Sequence, residues 1–274
     1  MPIKLIASDL DGTLMSPDHI TVAPRTKDAL LAARDKGIKI AIATGRALNF
    51  TAGVTAQIPF VDYVVCSNGA SVYDRNSGKF IYRNTVSAEV TSEAIKLLLT
   101  LPVYFNIYID GEIYVQKGAE KYFKNTGLPT VFLEEFASKL TVCDDIVSAT
   151  EGKEAELIDV FYGGADLKDT IFGFFESNGL LLTSALAGVV SATAVGSDKG
   201  TALKGLGEIL GISADEMMSF GDASNDSTML KFAHYSFAME NGDEICKASA
   251  RYSAPSNAED GVAQMIEKYA LSED

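Results

Sequence analysis

The sequence predicts an α/β fold with a Rossmann-like parallel sheet, interrupted by an inserted domain of mixed α and β structure. At both ends of the chain, short apolar runs rich in β-branched residues alternate with helical patterns, as in parallel strands joined by right-handed crossovers. In the middle this alternation gives way to hairpin and helix signals. We therefore expect a discontinuous core domain formed by residues 1–83 and 196–274 and an inserted domain formed by residues 84–195.

The first part of the chain contains three predicted strands, each followed by a polar turn. They are the apolar runs at residues 3–8, 38–43 and 61–66. Pro24 suits the first position of a helix that Gly37 ends. Because ligands of open parallel sheets bind beyond the carboxyl ends of the strands, we expect a site among the residues that follow these runs.

The inserted segment begins with a hairpin signal. Asp110-Gly111 separates two β-rich runs, which indicates a two-residue turn. Residues 177–197 carry no charge and are long enough to cross a bilayer. Their Gly, Ser, Thr and Ala content favours two strands of a soluble domain. Further predicted elements of the insert are helices at 92–99 and 167–178 and a strand at 157–162.

After the insert, the helix and strand alternation returns. A helix over residues 200–210 is ended by Gly211, and an apolar run at 216–220 leads into a second acidic turn. The remaining predicted elements are a strand at 235–239 and helices at 227–232 and 259–269.

Composition and charge limit the partners of this chain. The net charge of −14 argues against nucleic acid and anionic membranes, because nothing would offset phosphate repulsion over a broad surface. A small phosphate ester is not excluded, since one bound cation can reverse the field within a cleft. Cys66, Cys143 and Cys246 have no zinc or disulfide spacing, and no signal-peptide pattern opens the sequence. We expect free thiols and a cytoplasmic protein without a membrane partner.

Acidic residues follow two of the predicted strands. Asp9 and Asp11 follow the first, and Asp222 and Asp226 follow the run at 216–220. An ordinary Asp-Gly turn would explain one such pair but not four acids at one edge. Carboxylates placed together need a hard divalent cation to offset their repulsion, so we expect Mg²⁺ here.

Other strand ends and a helix start supply groups that bind phosphate. Thr44 offers a hydroxyl and Gly45 a backbone N–H, and Lys199 lies at a helix N-terminus. Taken singly, these residues also fit an ordinary loop and a surface lysine. Together with the acids they form the set of groups that phosphoryl transfer requires.

The chain resembles the haloacid dehalogenase superfamily, specifically the Cof-like subfamily IIB phosphatases with a C2-type cap inserted after the third strand. The resemblance covers almost the whole chain. It rests on four motifs in order: Asp9-Leu10-Asp11-Gly12-Thr13-Leu14, Ala43-Thr44-Gly45-Arg46, Lys199-Gly200, and Gly221-Asp222-Ala223-Ser224-Asn225-Asp226. The segments 67–70 and 257–262 also match the subgroup.

The resemblance implies a role for each matched residue. Asp9 would be the nucleophile that forms an aspartyl-phosphate, and Asp11 the general acid and then the general base. The implied Mg²⁺ ligands are Asp9, the backbone carbonyl of Asp11, and Asp222, with Asp226 in a supporting position. The phosphoryl oxygens would be held by Leu10, Thr44, Gly45, Lys199 and Asn225.

The implied activity is hydrolysis of phosphate monoesters of small metabolites, with sugar phosphates as the leading class. A phosphomutase would use the same Asp9 and Asp11. A non-catalytic phosphate-binding module is a further alternative, although it would not need a second acid placed for proton transfer. His19 and His234 do not neighbour a nucleophile candidate, so a histidine mechanism is not favoured.

Overall fold

The computed structural model describes residues 2–119, 138–183 and 188–272. Its chain divides into two compact units. Unit 1 comprises Met1–Arg46, Thr51–Tyr82 and Asp198–Asp274, and unit 2 comprises Ala47–Phe50 and Arg83–Ser197. In the part of the chain that is described, no helix has the length and apolar character of a membrane span.

The strands, in chain order, are β1 Leu5–Ser8, β2 Lys39–Ala43, β3 Tyr63–Cys66, β4 Ser71–Asp74, β5 Lys79–Arg83, β6 Tyr104–Ile109, β7 Glu112–Gln116, β8 Leu140–Cys143, β9 Leu157–Phe161, β10 Leu180–Thr183, β11 Val189–Ala194, β12 Met217–Gly221, β13 Tyr235–Met239 and β14 Tyr252–Ala254. The helices are α1 Pro24–Asp35, α2 Ala52–Thr55, α3 Ala88–Leu99, α4 Ile146–Ala149, α5 Ala165–Ser177, α6 Lys199–Leu210, α7 Ser227–Phe232, α8 Glu244–Ser249 and α9 Gly261–Ile266. The chain continues from α9 as a wider helical turn, Glu267–Leu271.

Unit 1 is built on a sheet with the strand order β14-β13-β12-β1-β2-β3-β4-β5. The six strands from β14 to β3 are parallel, and β4 runs antiparallel to β3. Every residue of β1, β3 and β12 is buried, as expected for strands covered on both faces. The predicted α/β fold with a parallel core sheet is therefore confirmed.

Neighbouring strand ends in this sheet bring the motifs together. β1 pairs with both β12 and β2, so the turns after Ser8, Gly221 and Ala43 lie at one edge. Asp9 follows β1, Asp222 follows β12 and Thr44 follows β2. At the same edge, Asp198 caps α6 by accepting a hydrogen bond from the backbone N–H of Thr201, which makes Lys199 the first helical residue.

Unit 2 contains a second sheet with the order β10-β11-β9-β6-β7-β8. Phe105, Ile107 and Ile109 of β6 lie in an apolar core that also contains Ala94, Ile95 and Leu98 of α3 and Ile171 and Phe175 of α5. The predicted hairpin is present, with β6 and β7 antiparallel and both Asp110 and Gly111 at positive φ. The two strands expected within residues 177–197 are β10 and β11; residues 184–187 between them lie outside the described residues.

Several details differ from the sequence-based expectations. The β4 and β5 strands were not predicted, and α3 begins at Ala88, where Ser87 caps it, rather than at residue 92. The chain passes from unit 1 to unit 2 between Tyr82 and Arg83, and it returns to unit 1 between Ser197 and Asp198. Ala47–Phe50 belongs to unit 2, although it was expected in the core. Local patterns carry no signal for such a short excursion of the chain.

Candidate active site

A buried lysine lies between two buried carboxylates at the carboxyl edge of the unit 1 sheet. Nζ of Lys199 donates to Oδ1 of Asp9 at 2.6 Å and to Oδ1 of Asp226 at 2.6 Å. Lys199 and Asp226 are fully buried and Asp9 is 6% exposed. Two segments far apart in sequence, the turn after β1 and the turn after β12, thus meet on one ammonium group. This excludes the surface-lysine interpretation of Lys199.

Burial and charge act in opposite directions on this cluster. Burial raises the pKa of Asp9 well above its usual range, the ammonium of Lys199 opposes that rise, and the negative charge of Asp226 adds to it. Burial alone would lower the pKa of Lys199, but attraction from Asp9 and Asp226 outweighs burial and raises it. Lys199 is therefore charged at neutral pH, and it brings one positive charge to more than one carboxylate.

Asp222 is the third carboxylate of the cluster. Its Oδ1 accepts a hydrogen bond from Oγ1 of Thr13 at 2.7 Å, and burial raises its pKa. Asp9, Asp222 and Asp226 each present a carboxylate oxygen within 4.8 Å of the others. Hard oxygen donors with uncompensated negative charge suit Mg²⁺, so the residues present fit the expected metal. The side chain of Asp226 is already engaged, because its Oδ2 accepts from the backbone N–H groups of Asp222 and Ala223.

The loop after Asp9 has an unusual backbone. Within the turn Leu10–Leu14, Asp11 is extended and Gly12 has a φ of 84°. A Cβ atom at position 12 would collide with the carboxylate of Asp222. Glycine is therefore required here both by the left-handed conformation and by the close approach of Asp222.

Asp11 is not one of the three carboxylates whose oxygens lie within 4.8 Å of one another, although its negative charge contributes to the raised pKa of Asp222. It accepts two hydrogen bonds from the guanidinium of Arg46, and its Oδ1 also lies 3.8 Å from Nδ1 of His19. Four acids were expected at one edge; three converge, and the fourth is paired with an arginine. Arg46 was not among the predicted site residues, although it stands in the quoted motif Ala43-Thr44-Gly45-Arg46.

The remaining predicted phosphate-binding residues lie around the turn after β3. Nδ2 of Asn225 donates to Oδ1 of Asn68 at 3.0 Å, and a Cβ at Gly45 would sit 3.1 Å from that same oxygen. Oγ1 of Thr44 accepts from the backbone N–H of Arg46 at 3.1 Å. The structure thus brings Thr44, Gly45 and Asn225 together. Their contacts with a phosphate stay a prediction, as do those of Leu10.

Two asparagines that the sequence reading missed brace the loop that carries Asp11. Nδ2 of Asn241 donates to the backbone carbonyl of Gly12 at 2.7 Å, and Nδ2 of Asn257 donates to that of Met15 at 2.9 Å. The backbone N–H of Asn257 in turn donates to Oδ1 of Asn241 at 3.1 Å. Asn257 belongs to the segment 257–262 that matched the subgroup, which was the available signal. For Asn241 the sequence contains no signal beyond a turn-forming Asn-Gly pair.

Comparisons with known proteins agree with this geometry. The model of the haloacid dehalogenase-like hydrolase family matches residues 6–266. The 5-amino-6-(5-phospho-D-ribitylamino)uracil phosphatase YwtE of Bacillus subtilis is 27% identical, over 97% of this chain and 98% of its own. A putative phosphatase of Buchnera aphidicola is 28% identical, over 97% of this chain and 95% of its own.

Solved structures show the same fold. A haloacid dehalogenase-like hydrolase from Bacteroides thetaiotaomicron has a TM-score of 0.80 at 25% identity, covering 97% of this chain and 99% of that one. A subclass IIB sugar phosphatase has a TM-score of 0.76 at 24% identity, covering 98% and 100%. These findings confirm the expected family, fold and enzyme class. The chain belongs to the haloacid dehalogenase-like hydrolase family.

Proposed function

We propose that the chain is a Mg²⁺-dependent phosphatase that hydrolyses phosphate monoesters of small metabolites, with sugar phosphates as the leading class. The observation that carries this proposal is the buried cluster in which Lys199 holds Asp9 beside the further carboxylates of Asp222 and Asp226. Such a cluster combines a nucleophile, a fixed cation and oxygen donors for a metal, which are the groups needed for phosphoryl transfer.

In this proposal Asp9 attacks phosphorus and the bond from phosphorus to the alcohol oxygen breaks. Asp11 gives its proton to the departing alkoxide. Asp11 then takes a proton from a water molecule that attacks the aspartyl-phosphate, which restores Asp9 and releases inorganic phosphate. Both steps use one proton carrier. The Asp11 carboxylate is bound by Arg46 and is not one of the three clustered carboxylates, which supports its assignment as that carrier.

The phosphoryl oxygens would be held by Lys199, Thr44, Asn225 and the backbone N–H groups of Leu10 and Gly45. Mg²⁺ would be held by Asp9, Asp222 and the backbone carbonyl of Asp11, with Asp226 supporting Asp222 through its backbone N–H. When bound, the metal offsets negative charge on the nucleophile and the phosphate. The rise in the pKa of Asp9 and Asp222 on burial supports this need for a further cation.

We assign the choice of substrate to the expected cap domain, residues 84–195, which forms most of unit 2. Two similar proteins are a 5-amino-6-(5-phospho-D-ribitylamino)uracil phosphatase and a sugar phosphatase, and the substrates that these names describe carry hydroxyl groups. A cytoplasmic location is part of the same proposal, because Cys143 and Cys246 are free thiols.

The test is turnover of p-nitrophenyl phosphate and a panel of phosphorylated metabolites. Mg²⁺ should support activity, EDTA should abolish it, and added Mg²⁺ should restore it. Ca²⁺ should support much less, because its larger and looser coordination misplaces the nucleophile. Full activity in excess EDTA would refute the metal dependence, and no turnover of any ester would favour a phosphate-binding module. Dependence on a bisphosphate activator would favour a phosphomutase.

A further inference from the structure

The turn after β3 contains three consecutive residues with a left-handed backbone. Ser67, Asn68 and Gly69 have φ values of 50°, 55° and 99°. Two of the three carry a side chain, and such residues adopt this region rarely, asparagine more readily than most. A costly conformation of this kind persists only where the surroundings hold it. We call Ser67–Gly69 the β3 turn.

Two neighbouring segments of unit 1 hold the β3 turn. The backbone N–H of Ser67 donates to the carbonyl of Arg46 at 3.0 Å, and that of Asn68 donates to the carbonyl of Thr44 at 3.1 Å. On the other side, a Cβ atom at position 69 would collide with the backbone oxygen of Asp198, at the start of α6. The β3 turn is therefore fixed between the loop after β2 and the helix that begins with the buried lysine of the active site.

The side chain of Asn68 lies between two residues expected to bind phosphate. Its Oδ1 accepts a hydrogen bond from Nδ2 of Asn225 at 3.0 Å. A Cβ atom at Gly45 would lie 3.1 Å from the same oxygen and 3.3 Å from Nδ2 of Asn68. Both distances are shorter than ordinary van der Waals contact, so the absence of a side chain at position 45 lets the Asn68 amide approach the backbone there.

The hydrogen bond to Asn68 decides which end of the Asn225 amide faces its surroundings. An amide has an oxygen that accepts and a nitrogen with two N–H groups. One N–H of Asn225 is donated to Asn68, and the second forms no hydrogen bond with the described residues. Turning the Asn225 amide over would set two acceptor oxygens against each other. The exposed Asn225 side chain is thus held with one N–H left to donate.

We propose that Asn68 is a positioning residue, which accepts one N–H of Asn225 and thereby directs the other N–H to a phosphoryl oxygen of the substrate. A phosphoryl oxygen accepts hydrogen bonds, so an N–H stabilises it, whereas the amide oxygen would repel it. This inference rests on the proposed phosphatase activity, in which Asn225 binds the phosphoryl group. All of the contacts that support it lie within unit 1.

A glycine at position 68 separates the role of the side chain from that of the backbone. Asn68→Gly removes the amide but keeps the left-handed conformation without strain. We expect kcat/KM for p-nitrophenyl phosphate to fall by roughly tenfold, because a misdirected donor stabilises the transferring group less. Asn225→Ala removes the donor itself and should lose on the order of 10²-fold. An Asn68→Gly protein with unchanged kcat/KM would overturn the proposal.

The double variant shows whether Asn68 acts through Asn225. In the Asn225→Ala background, Asn68→Gly should change kcat/KM by less than about twofold, because effects that pass through one contact do not add. If the two losses multiply instead, Asn68 acts independently of Asn225 and the proposal is overturned. The matched control is Asp110→Gly, which also replaces a left-handed residue, with a φ of 51°, but in the hairpin of unit 2. It should stay within about twofold of wild type.

A second measurement needs no turnover. The side-chain amide of Asn225 gives two proton signals in a nitrogen-correlated NMR spectrum, which are identified by their loss in Asn225→Ala. Asn68→Gly should move these signals. Asn68→Asp should leave them separated as in wild type, because a carboxylate still accepts from Nδ2. If Asn68→Asp moved them as far as Asn68→Gly does, Asn68 would be the donor of this pair and the proposal would be overturned.

The same signals distinguish failure of this inference from failure of the phosphatase assignment. If wild type hydrolyses no ester, the phosphatase assignment fails, and titration with inorganic phosphate in the presence of Mg²⁺ decides the role of Asn68. Movement of the Asn225 signals on titration, present in wild type and lost in Asn68→Gly, would support the positioning role. Signals that do not respond to phosphate, or that respond equally in both proteins, would reject it.

Discussion

The guanidinium of Arg46 holds both carboxylate oxygens of Asp11, from Nε to Oδ2 at 2.9 Å and from Nη2 to Oδ1 at 2.5 Å. Two parallel hydrogen bonds fix the plane of a carboxylate, whereas a single contact leaves it free to rotate. The residue proposed to move protons is therefore oriented by an arginine from the end of β2.

Replacing this arginine tests the orientation. Arg46→Lys keeps the charge but cannot form two parallel bonds, so the carboxylate of Asp11 should lose its fixed plane. We expect kcat on a sugar phosphate to fall by at least about tenfold, since misplaced catalytic groups lose rate steeply. The loss on p-nitrophenyl phosphate, which needs little protonation, should be smaller.

The control for Arg46 is His19→Ala. His19 also lies near Asp11, at 3.8 Å, but its side chain is 63% exposed. Exposed pairs contribute little, so this variant should stay within about twofold of wild type on both esters. If Arg46→Lys also stayed within about twofold of wild type on both esters, Arg46 would act only through its charge.

The second prediction concerns the two proposed roles of Asp11. Asp11→Asn cannot donate a proton to a sugar alkoxide, and general acid help is typically worth about 10²–10⁴-fold. Departure of p-nitrophenolate needs almost no proton, so the first step should persist with that ester. Hydrolysis of the intermediate still needs a base. Rapid quench should therefore show a burst approaching one equivalent of nitrophenolate per enzyme.

The matched variant for this burst is Asp9→Asn, which lacks the attacking carboxylate and should show none. Phosphate label should be found on Asp9 in the Asp11→Asn protein. Equal rate losses on both esters without a burst would assign Asp11 to metal positioning or to structure.

The third prediction follows from the position of Lys199 between two buried carboxylates. Lys199→Met removes a cation that Asp9 and Asp226 share. Leaving a buried charge without its partner typically costs about 3–5 kcal/mol of stability. Losing one donor to a transferring phosphoryl group costs on the order of 10²–10³-fold in kcat. Thermal unfolding measures the loss of stability, and steady-state kinetics measures the loss in kcat.

Added Mg²⁺ should return part of the lost stability, because a cation that binds only the folded state shifts the equilibrium towards it. Lys204→Met serves as the control, since Lys204 is a surface lysine of the same helix, 3.9 Å from Glu208. The Lys204→Met protein should have the same melting temperature and the same kcat as wild type. A Lys199→Met protein with unchanged kcat/KM would contradict the proposed role of Lys199 in phosphate binding.

The fourth prediction concerns the hydrogen bond from Asn241 to the carbonyl of Gly12. Asn241→Ala removes it and loosens the loop between Asp9 and Met15, with a loss of about 1 kcal/mol in stability. Because the loop positions Asp11, kcat should fall by more than this small destabilisation explains, while KM changes little. Asn178→Ala removes a similar amide bond, to the carbonyl of Phe174 in unit 2, and should leave kcat unchanged.

The sequence located the site but not its side-chain partners, for a physical reason. The carboxyl ends of neighbouring parallel strands lie at the same edge of a sheet. The meeting of Asp9, Thr44 and Asp222, which follow β1, β2 and β12, could therefore be predicted from strand positions alone. The partners of Asp11 and Gly12 depend on register across distant segments, since Arg46 and Asn241 lie 35 and 229 positions away. No local pattern encodes such a pairing.

The same limit applied to unit 2. Tyr108 was expected as a sheet residue, and it is one. That its hydroxyl meets Asp159 follows only from the pairing of β6 with β9. The amide of Asn106, which has no hydrogen-bond partner among the described residues, could not be foreseen either, because alternation along a strand assigns a face and not a partner.

The last prediction concerns Cys246, a fully buried residue of α8. Burial, followed by the negative charges of Asp226, Asp243 and Asp222, raises the pKa of its thiol to about 12. In the unfolded chain a thiol ionises near pH 8.5, as in model peptides. Between these values the folded protein keeps a proton that the unfolded chain releases. Stability from this group is therefore complete below about pH 8.5 and is lost as the pH rises towards 12.

Cys246→Ala removes this dependence along with some packing. Wild type should be the more stable protein at pH 7, and its advantage should narrow steadily as the pH is raised from 8 to 10, because only wild type has this thiol to ionise on unfolding. Urea unfolding at a series of pH values measures the difference. Ser249→Ala in the same helix removes a group that does not titrate in this range, so its difference from wild type should stay constant. If the stability difference between wild type and Cys246→Ala also stayed constant with pH, the thiol would ionise as readily in the folded protein as in the unfolded chain.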